Sequence, residues 1–185
     1  LEAGQIYHIF NRGNNRQLIF QEEDNFHYFL RLAKKYIYPI ADIYAYALLP
    51  DHFHFLVRIK EEHFLIQHKI TSAKAISLKF GHWFNAYAKA YNKRYNQVSS
   101  LFEDRFERVM VSNNAFLFRL FSYIHWNPEK HKYVADFQDW PYLSYHSLLS
   151  DELTILAREV VLDIFGGKEL FIEFHKKGIE DLGGF

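Results

Sequence analysis

This 185-residue chain predicts an α+β domain built on an antiparallel sheet, and three observations carry that prediction. Short runs of strand-forming residues alternate with segments in which aromatic residues recur at steps of three and four. Two of the runs are separated only by Pro50-Asp51, a spacing that makes a hairpin. A hydrophobic content of 49% and an aromatic content of 19% supply the core of one domain of this length.

Taken in order, Gln5 to Arg12 is rich in strand formers and stops at the turn cluster Gly13-Asn14-Asn15. Asp24 begins an amphipathic stretch in which Phe26, Phe29, Leu30, Leu32, Ala33, Tyr36 and Ile37 follow helical spacing, ended before Pro39. Ile40 to Leu49 reads as a strand with Ile43, Ala45 and Ala47 on one face and Tyr44 and Tyr46 on the other. His52 to Ile59 is the next strand. Ser72 to Tyr91 reads as a long helix whose stripe of Phe80, Trp83, Phe84, Tyr87 and Tyr91 is mostly core, followed by a polar loop from Asn92 to Ser100. Phe106 to Val111 is a short strand. Ser112-Asn113-Asn114 is an N-cap cluster for a helix that ends close to Asn127, because the residue before a proline is biased away from helix. The order β-α-β-β-α-β matches the ferredoxin-like split βαβ pattern, an antiparallel sheet with helices on one face. The domain is expected over 1–147. Residues 148–185 are expected as a helical extension, not an independent domain, with Ser150 to Phe165 helical and Gly166-Gly167 and Gly183-Gly184 punctuating a weakly patterned tail.

Composition narrows the function classes. There is no cysteine, so no disulfide framework and no thiolate zinc site. No apolar run approaches the ~20 residues that span a bilayer, and no secretory leader is evident, which points to a cytoplasmic protein with no membrane partner. Net charge is zero, but from His63 to Phe102 there are six Lys or Arg and no Asp or Glu, and from Asp151 to Phe185 there are eight acidic residues and four basic. A basic, aromatic middle suits one face that tracks phosphates; the ordinary alternative is a solvated helix face.

The run Leu48-Leu-Pro-Asp-His-Phe-His-Phe-Leu-Val57 carries the chemistry. On a strand, His52 and His54 leave one face together, near the surface of a cleft, while Phe53, Phe55 and Val57 pack on the other. Two imidazoles on one face supply half of a small metal site, unless they are simply half-buried histidines. Tyr123 and Asn127 are four residues apart and share a helix face. The Asn127 amide oxygen can join two imidazoles on a cation, with the Tyr123 phenol one turn away. Tyrosine serves as a covalent nucleophile; a phenol that attacks phosphorus needs a polarised phosphate or help with its proton. Taken alone, Tyr123 reads first as a packed ring, one of thirteen tyrosines.

Five segments in order resemble a known family: Ala47-Leu-Leu-Pro-Asp-His-Phe-His-Phe-Leu-Val57, Tyr91-Asn-Lys-Arg-Tyr95, Leu101-Phe-Glu-Asp-Arg-Phe106, Tyr123-Ile-His-Trp-Asn-Pro128 and Trp140-Pro-Tyr-Leu-Ser-Tyr145. Together with Tyr7-His-Ile-Phe-Asn-Arg-Gly13, they look like the single-tyrosine transposases of the insertion-sequence 200/605 group. These belong to the His-hydrophobic-His nuclease superfamily, and the nearest branch is the one associated with repetitive extragenic palindromes (REP). The resemblance implies His52, His54 and Asn127 as metal ligands, Mg²⁺ or Mn²⁺ as cofactor, and Tyr123 as nucleophile. It implies cleavage of single-stranded DNA beside short hairpins, a 5′-phosphotyrosine intermediate, a bacterial, nucleoid-associated setting, and a monomer or homodimer. The DNA-contacting set is expected to be Lys93, Arg94, Tyr95, Arg105 and His125, with His125 serving either DNA or packing. Departures are Glu103-Asp104, where relatives often carry Gln-Gly, and Glu129, where a small apolar residue is frequent.

Rival readings remain open on the sequence. Tyr87, Tyr91 and Tyr95 are alternative nucleophiles, with Tyr95 placed in a loop. His8 could approach the site across the sheet. A metal-dependent hydrolase would use His52 and His54 with Asp51 or a Glu as base and would need further His or Asp ligands. A ferredoxin-like nucleic-acid-binding module with stacking aromatics would need no metal.

Overall fold

The computed structural model describes residues 1–176. Strands β1 (Ile6–Arg12), β2 (Ala41–Leu49), β3 (His52–Ile59) and β4 (Glu107–Met110) form one antiparallel sheet in the order β2-β3-β1-β4. That is the ferredoxin-like arrangement expected from the element order. Helix α1 (Glu23–Tyr36) joins β1 to β2, and α2 (Glu62–Gln67) with α3 (Ala73–Tyr95) joins β3 to β4. Helices α4 (Asn114–Lys130), α5 (Ser144–Leu149), α6 (Arg158–Phe165) and α7 (Lys168–Lys176) follow.

Alternation along β3 creates two different faces. Phe53 and Phe55 are fully buried against α1 and α3, with Phe53 4.9 Å from the Phe29 ring and Phe55 4.9 Å from the Trp83 ring. The Trp83 indole N–H donates to the Phe29 carbonyl at 3.1 Å, so even this aromatic layer leaves no orphaned donor there. The opposite face of β3 carries His52 and His54 and receives α4. On β2 the pairing steps past Tyr44: Ile43 opposes Val57, but Ala45 opposes Leu56. Ile43 therefore shares the face of Val57, and Ala45 and Ala47 share the α4 face. This corrects the simple alternation expected for that strand, because a bulge flips everything beyond it. Small alanines there let α4 lie close to the sheet.

Helix boundaries differ where long-range packing overrides local signals. The two-turn α2 has no sequence signal strong enough to separate it from loop. Helix α3 continues four residues past Tyr91 to Tyr95, which is thus helical and not in a loop, and it ends at Asn96 with φ 52°. Helix α4 starts at the expected cap, with Asn113 accepting from the Phe116 N–H at 2.8 Å; a cap of that kind contributes ~1 kcal/mol. The helix does not stop at Asn127. It runs through Pro128 to Lys130, because the Asn127 carbonyl still accepts from the His131 N–H at 3.0 Å. A proline in the last turn forfeits only the bond to the carbonyl four residues back. Of the expected helix from Ser150 to Phe165, only Arg158–Phe165 forms. The expected Gly183-Gly184 punctuation lies outside the described residues.

The C-terminal helices close over α4. Phe165 lies 5.0 Å from Phe121 and 5.1 Å from Phe118. A polar chain runs through this layer: His175 meets His125 at 2.8 Å, and His125 meets Ser144 Oγ at 2.7 Å. Ser144 Oγ in turn accepts from the Tyr46 N–H at 2.8 Å. The free edge of β2 is covered as well, since Leu48 N–H donates to the Tyr142 carbonyl and the Trp140 indole donates to the Leu48 carbonyl at 2.8 Å.

Candidate active site

The period-two strand and the helical i,i+4 spacing deliver four side chains to one place. His52 Nε2 and Asn127 Oδ1 lie 3.1 Å apart. The His52 and His54 rings are 5.3 Å apart at 85°, and Tyr123 sits edge-on to His54 at 5.4 Å. Strand β1 adds to the same face, because Arg12 opposes His52 and Phe10 opposes His54 in register. Phe10, Arg12, Glu103, Glu107, Lys130 and His131 join the two histidines and Tyr123 in lining a cleft of about 370 Å³.

The histidines are more deeply placed than the sequence suggested. His52 and His54 are each 5% exposed, and Asn127 is fully buried, whereas a cleft-surface position was expected. The reason is α4, which lies directly over this face of the sheet. Burial and the neighbouring His8 and His52 rings push the His54 imidazole well below its usual range, so it is neutral. His52 is oriented by Asp51, whose carboxylate lies 2.6 Å from Nδ1 and 3.4 Å from the Arg12 guanidinium. Burial alone would raise the Asp51 carboxyl, but the His52 hydrogen bond and the His52 and Arg12 charges outweigh it and hold it low. An ionised carboxylate only accepts, so His52 Nδ1 carries a proton and donates to Asp51, which leaves Nε2 facing Asn127. Among the described residues His54 Nε2 is sealed from solvent and has no hydrogen-bond partner. Two imidazoles on one strand face with a buried amide beside them suit a shared cation. Among the described residues no group of three or more His, Cys, Asp or Glu side chains is placed to hold a metal, so the side chains that could hold one here are two imidazoles and an amide. The extra ligands required by a hydrolase reading do not join it.

The expected DNA-contacting residues are spread out. Lys93 and Arg94 are exposed at the end of α3, on the side of the sheet away from the histidines, and Arg94 is engaged by the Glu22 carboxylate. The Tyr95 hydroxyl also donates to Glu22, at 2.5 Å. Arg105 is exposed and lines a second groove of about 400 Å³ with Lys89 and Asn92, which meets the histidine cleft at Asn11 and Glu103. His125 is fully buried between Ser144 and His175, so of its two expected roles the fold assigns packing and corrects the DNA contact. Tyr87 and Tyr91 are buried, their hydroxyls given to the Ile19 and Leu18 carbonyls. That removes both as nucleophiles and as stacking surfaces. Sequence reasoning missed Arg12, Lys130 and His131. Arg12 was findable from strand alternation with His8 and Phe10. Lys130, whose ammonium lies 4.9 Å from the Tyr123 ring centre, became visible only once α4 was seen to pass Pro128.

No family-level sequence profile matches the chain. A candidate REP-associated tyrosine transposase of Haemophilus influenzae is 29% identical over 118 residues, covering 63% of this chain. The match spans 65% of that relative's length, a little under two thirds. Among solved structures, a REP-associated tyrosine transposase bound to a REP hairpin superposes with a TM-score of 0.59 and 18% identity, over 83% of this chain and 85% of that one. In sequence and in fold, then, the chain is similar to the REP-associated tyrosine transposases, the branch its motifs resemble.

Proposed function

We propose that this chain is a divalent-metal-dependent single-stranded DNA endonuclease and strand transferase that acts beside hairpins through a 5′-phosphotyrosine on Tyr123. The observation that carries this reading is the sealed, partnerless Nε2 of His54 beside the His52–Asn127 pair, with Tyr123 on the same helix face as Asn127. His52, His54 and Asn127 would hold the cation. Mg²⁺ or Mn²⁺ bound there supplies charge withdrawal from the scissile phosphate. Asp51 orients His52, and α4 fixes the distance between the attacking oxygen and the amide ligand. Attack forms a bond from the Tyr123 phenol oxygen to phosphorus and breaks the bond from phosphorus to the 3′ oxygen. The phenol proton passes to solvent and the departing 3′ oxygen takes one up. The hairpin partner is supported by the solved relative, whose DNA is a REP hairpin.

Incubation with labelled hairpin DNA carrying a single-stranded flank tests the reading. A metal-dependent covalent protein–DNA band supports it, and cleavage without such a band points to hydrolysis instead. Replacing both His52 and His54 with alanine should abolish Mn²⁺ binding in a calorimetric titration, with far-ultraviolet dichroism retained. Undiminished binding in that variant would place the cation elsewhere. For DNA, exposed Lys93 and Arg94 extend the basic middle of the chain. Each phosphate that a cation no longer neutralises reduces the salt slope by ~0.7 for single strands. Lys93→Ala with Arg94→Ala should therefore weaken hairpin binding and flatten its salt dependence. An unchanged slope would route the DNA past Arg105 and Lys89 instead.

A further inference from the structure

His8 is buried, polar and not used by any step above. It stands on β1 opposite Leu56, two pairs along from Phe10 and His54, so strand alternation brings it to the face that carries the candidate ligands. Its Nε2 lies 2.9 Å from Nδ1 of His54. The two rings are 5.1 Å apart and stacked, Phe10 packs beside both, 4.7 Å from His8 and 5.7 Å from His54, and the Tyr123 ring closes the edge at 6.0 Å. Three aromatic neighbours leave His8 little freedom to turn away.

A hydrogen bond between two neutral imidazoles holds a single proton, and its position decides what His54 offers to the cleft. If His8 donates, the neutral His54 ring must carry its own proton on Nε2. That N–H is then sealed without a partner, an arrangement costing ~1–3 kcal/mol. If His54 donates from Nδ1, its Nε2 presents a lone pair, which is the form that binds metal. The second arrangement leaves no donor of His54 orphaned and keeps its free lone pair on the ring nitrogen away from His8, on the strand face that also carries His52. The other ligand is treated the same way, since Asp51 accepts from His52 Nδ1 at 2.6 Å. Each imidazole thus has one outer acceptor on Nδ1, a carboxylate in one case and a third histidine in the other.

We propose that His8 is a positioning residue for a divalent cation: it accepts the His54 Nδ1 proton, fixes the His54 tautomer and ring angle, and commits His54 Nε2 to the metal. This rests on the metal reading of the site. A ligand and its outer acceptor act as a unit, so loss of the acceptor weakens metal binding ~10–100-fold even though the ligand is intact. His8 does not bind DNA in this scheme, and hairpin affinity measured in chelator should be unaffected.

The test compares His8→Phe, which keeps a flat ring and removes the acceptor, with His8→Gln, whose side-chain amide can accept near the same point. Mn²⁺ affinity is read by calorimetry without DNA, and the His54 tautomer is read directly by long-range proton–nitrogen correlation in metal-free protein. His8→Phe should lose ~10–100-fold in Mn²⁺ affinity and shift the His54 proton from Nδ1 toward Nε2. His8→Gln should restore most of both, with melting temperature and chelator-state hairpin binding near wild type. Should His8→Phe fail to fold, His8→Leu makes the same comparison. Wild-type Mn²⁺ affinity in the Phe variant overturns the proposal, as does a loss that Gln leaves unrepaired, which marks a packing role. His54→Ala separates the two levels. If it binds Mn²⁺ as well as wild type, the metal reading itself fails; if it loses Mn²⁺ while His8→Phe does not, only the role of His8 fails.

Discussion

Tyr123→Phe should abolish strand cleavage and the covalent DNA adduct together, a loss of the order of 10³–10⁶-fold in rate, while the fold, Mn²⁺ binding and hairpin binding persist. The substitution removes one oxygen and leaves the ring, which is half-buried and held by His54 at 5.4 Å and by the Lys130 ammonium at 4.9 Å. Those interactions belong to the ring and survive. A packed tyrosine with no chemical role would give a different result, a small stability change with cleavage intact. The measurement is a single-turnover assay with hairpin DNA, resolved on a denaturing gel. If an adduct still forms, another tyrosine carries it. Tyr87 and Tyr91 are excluded by burial, which leaves Tyr95 and, nearer the site, the exposed Tyr133, whose hydroxyl lies 3.4 Å from Asp51. Persistent cleavage with no adduct assigns the attack to water.

Acid should unfold this protein more steeply than its neutral net charge suggests. His175 is 1% exposed and His125 fully buried in the layer that clamps α4. Burial pushes His175 down to about 4 from an ordinary value of 6.5, and burial together with the His175 and His146 charges pushes His125 well below its ordinary range. The unfolded chain takes up the His175 proton near 6.5, while the folded chain resists until near 4. Between those values the unfolded state binds more protons, so stability rises with pH and falls on acidification. From His175 alone the loss across that window is on the order of 3 kcal/mol, a large share of an ordinary domain's stability. The chain of donors explains why protonation is resisted. His175 Nδ1 donates to the Phe171 carbonyl, its Nε2 accepts from His125, and His125 Nε2 accepts from Ser144, so no lone pair is left for a proton. Urea unfolding at a series of pH values from 7.5 down to 4.5 measures the slope, to which each such histidine adds up to ~1.4 kcal/mol per pH unit. His175→Gln should lower that slope by one proton's share. A flat profile in the wild type would show that these histidines are not buried neutral in solution.

Much of the site was legible because it depends on short-range periodicity. His-Phe-His on a strand has one geometry, and Tyr123 and Asn127 on a helix have one angular relation, so the two halves could be drawn before they were brought together. The hairpin at Pro50-Asp51 was equally local, with Leu49 opposing His52 as expected. What was not legible depends on residues far apart in the chain. The burial of His125 is set by His175, fifty positions later. The bulge at Tyr44 arises from pairing with β3 and has no glycine or proline to announce it. The passage of α4 through Pro128 follows from a capping bond to His131 that outweighs the local bias of Asn127. The basic run between His63 and Phe102 is present on the surface, but its aromatic residues Tyr87 and Tyr91 belong to the core. Composition could not separate the two, since the same helix faces both ways.

The two edges of the sheet are unequal. β2 is closed off by Tyr142 and Trp140, whereas among the described residues β4 has a partner on one side only, and its Val109 and Met110 are 41% and 44% exposed. A sheet with a single open border can be extended only once. Two copies that join along it consume both open borders, and a third finds nothing to pair with. Any edge-to-edge association through β4 would therefore be self-limiting, closing as a twofold pair.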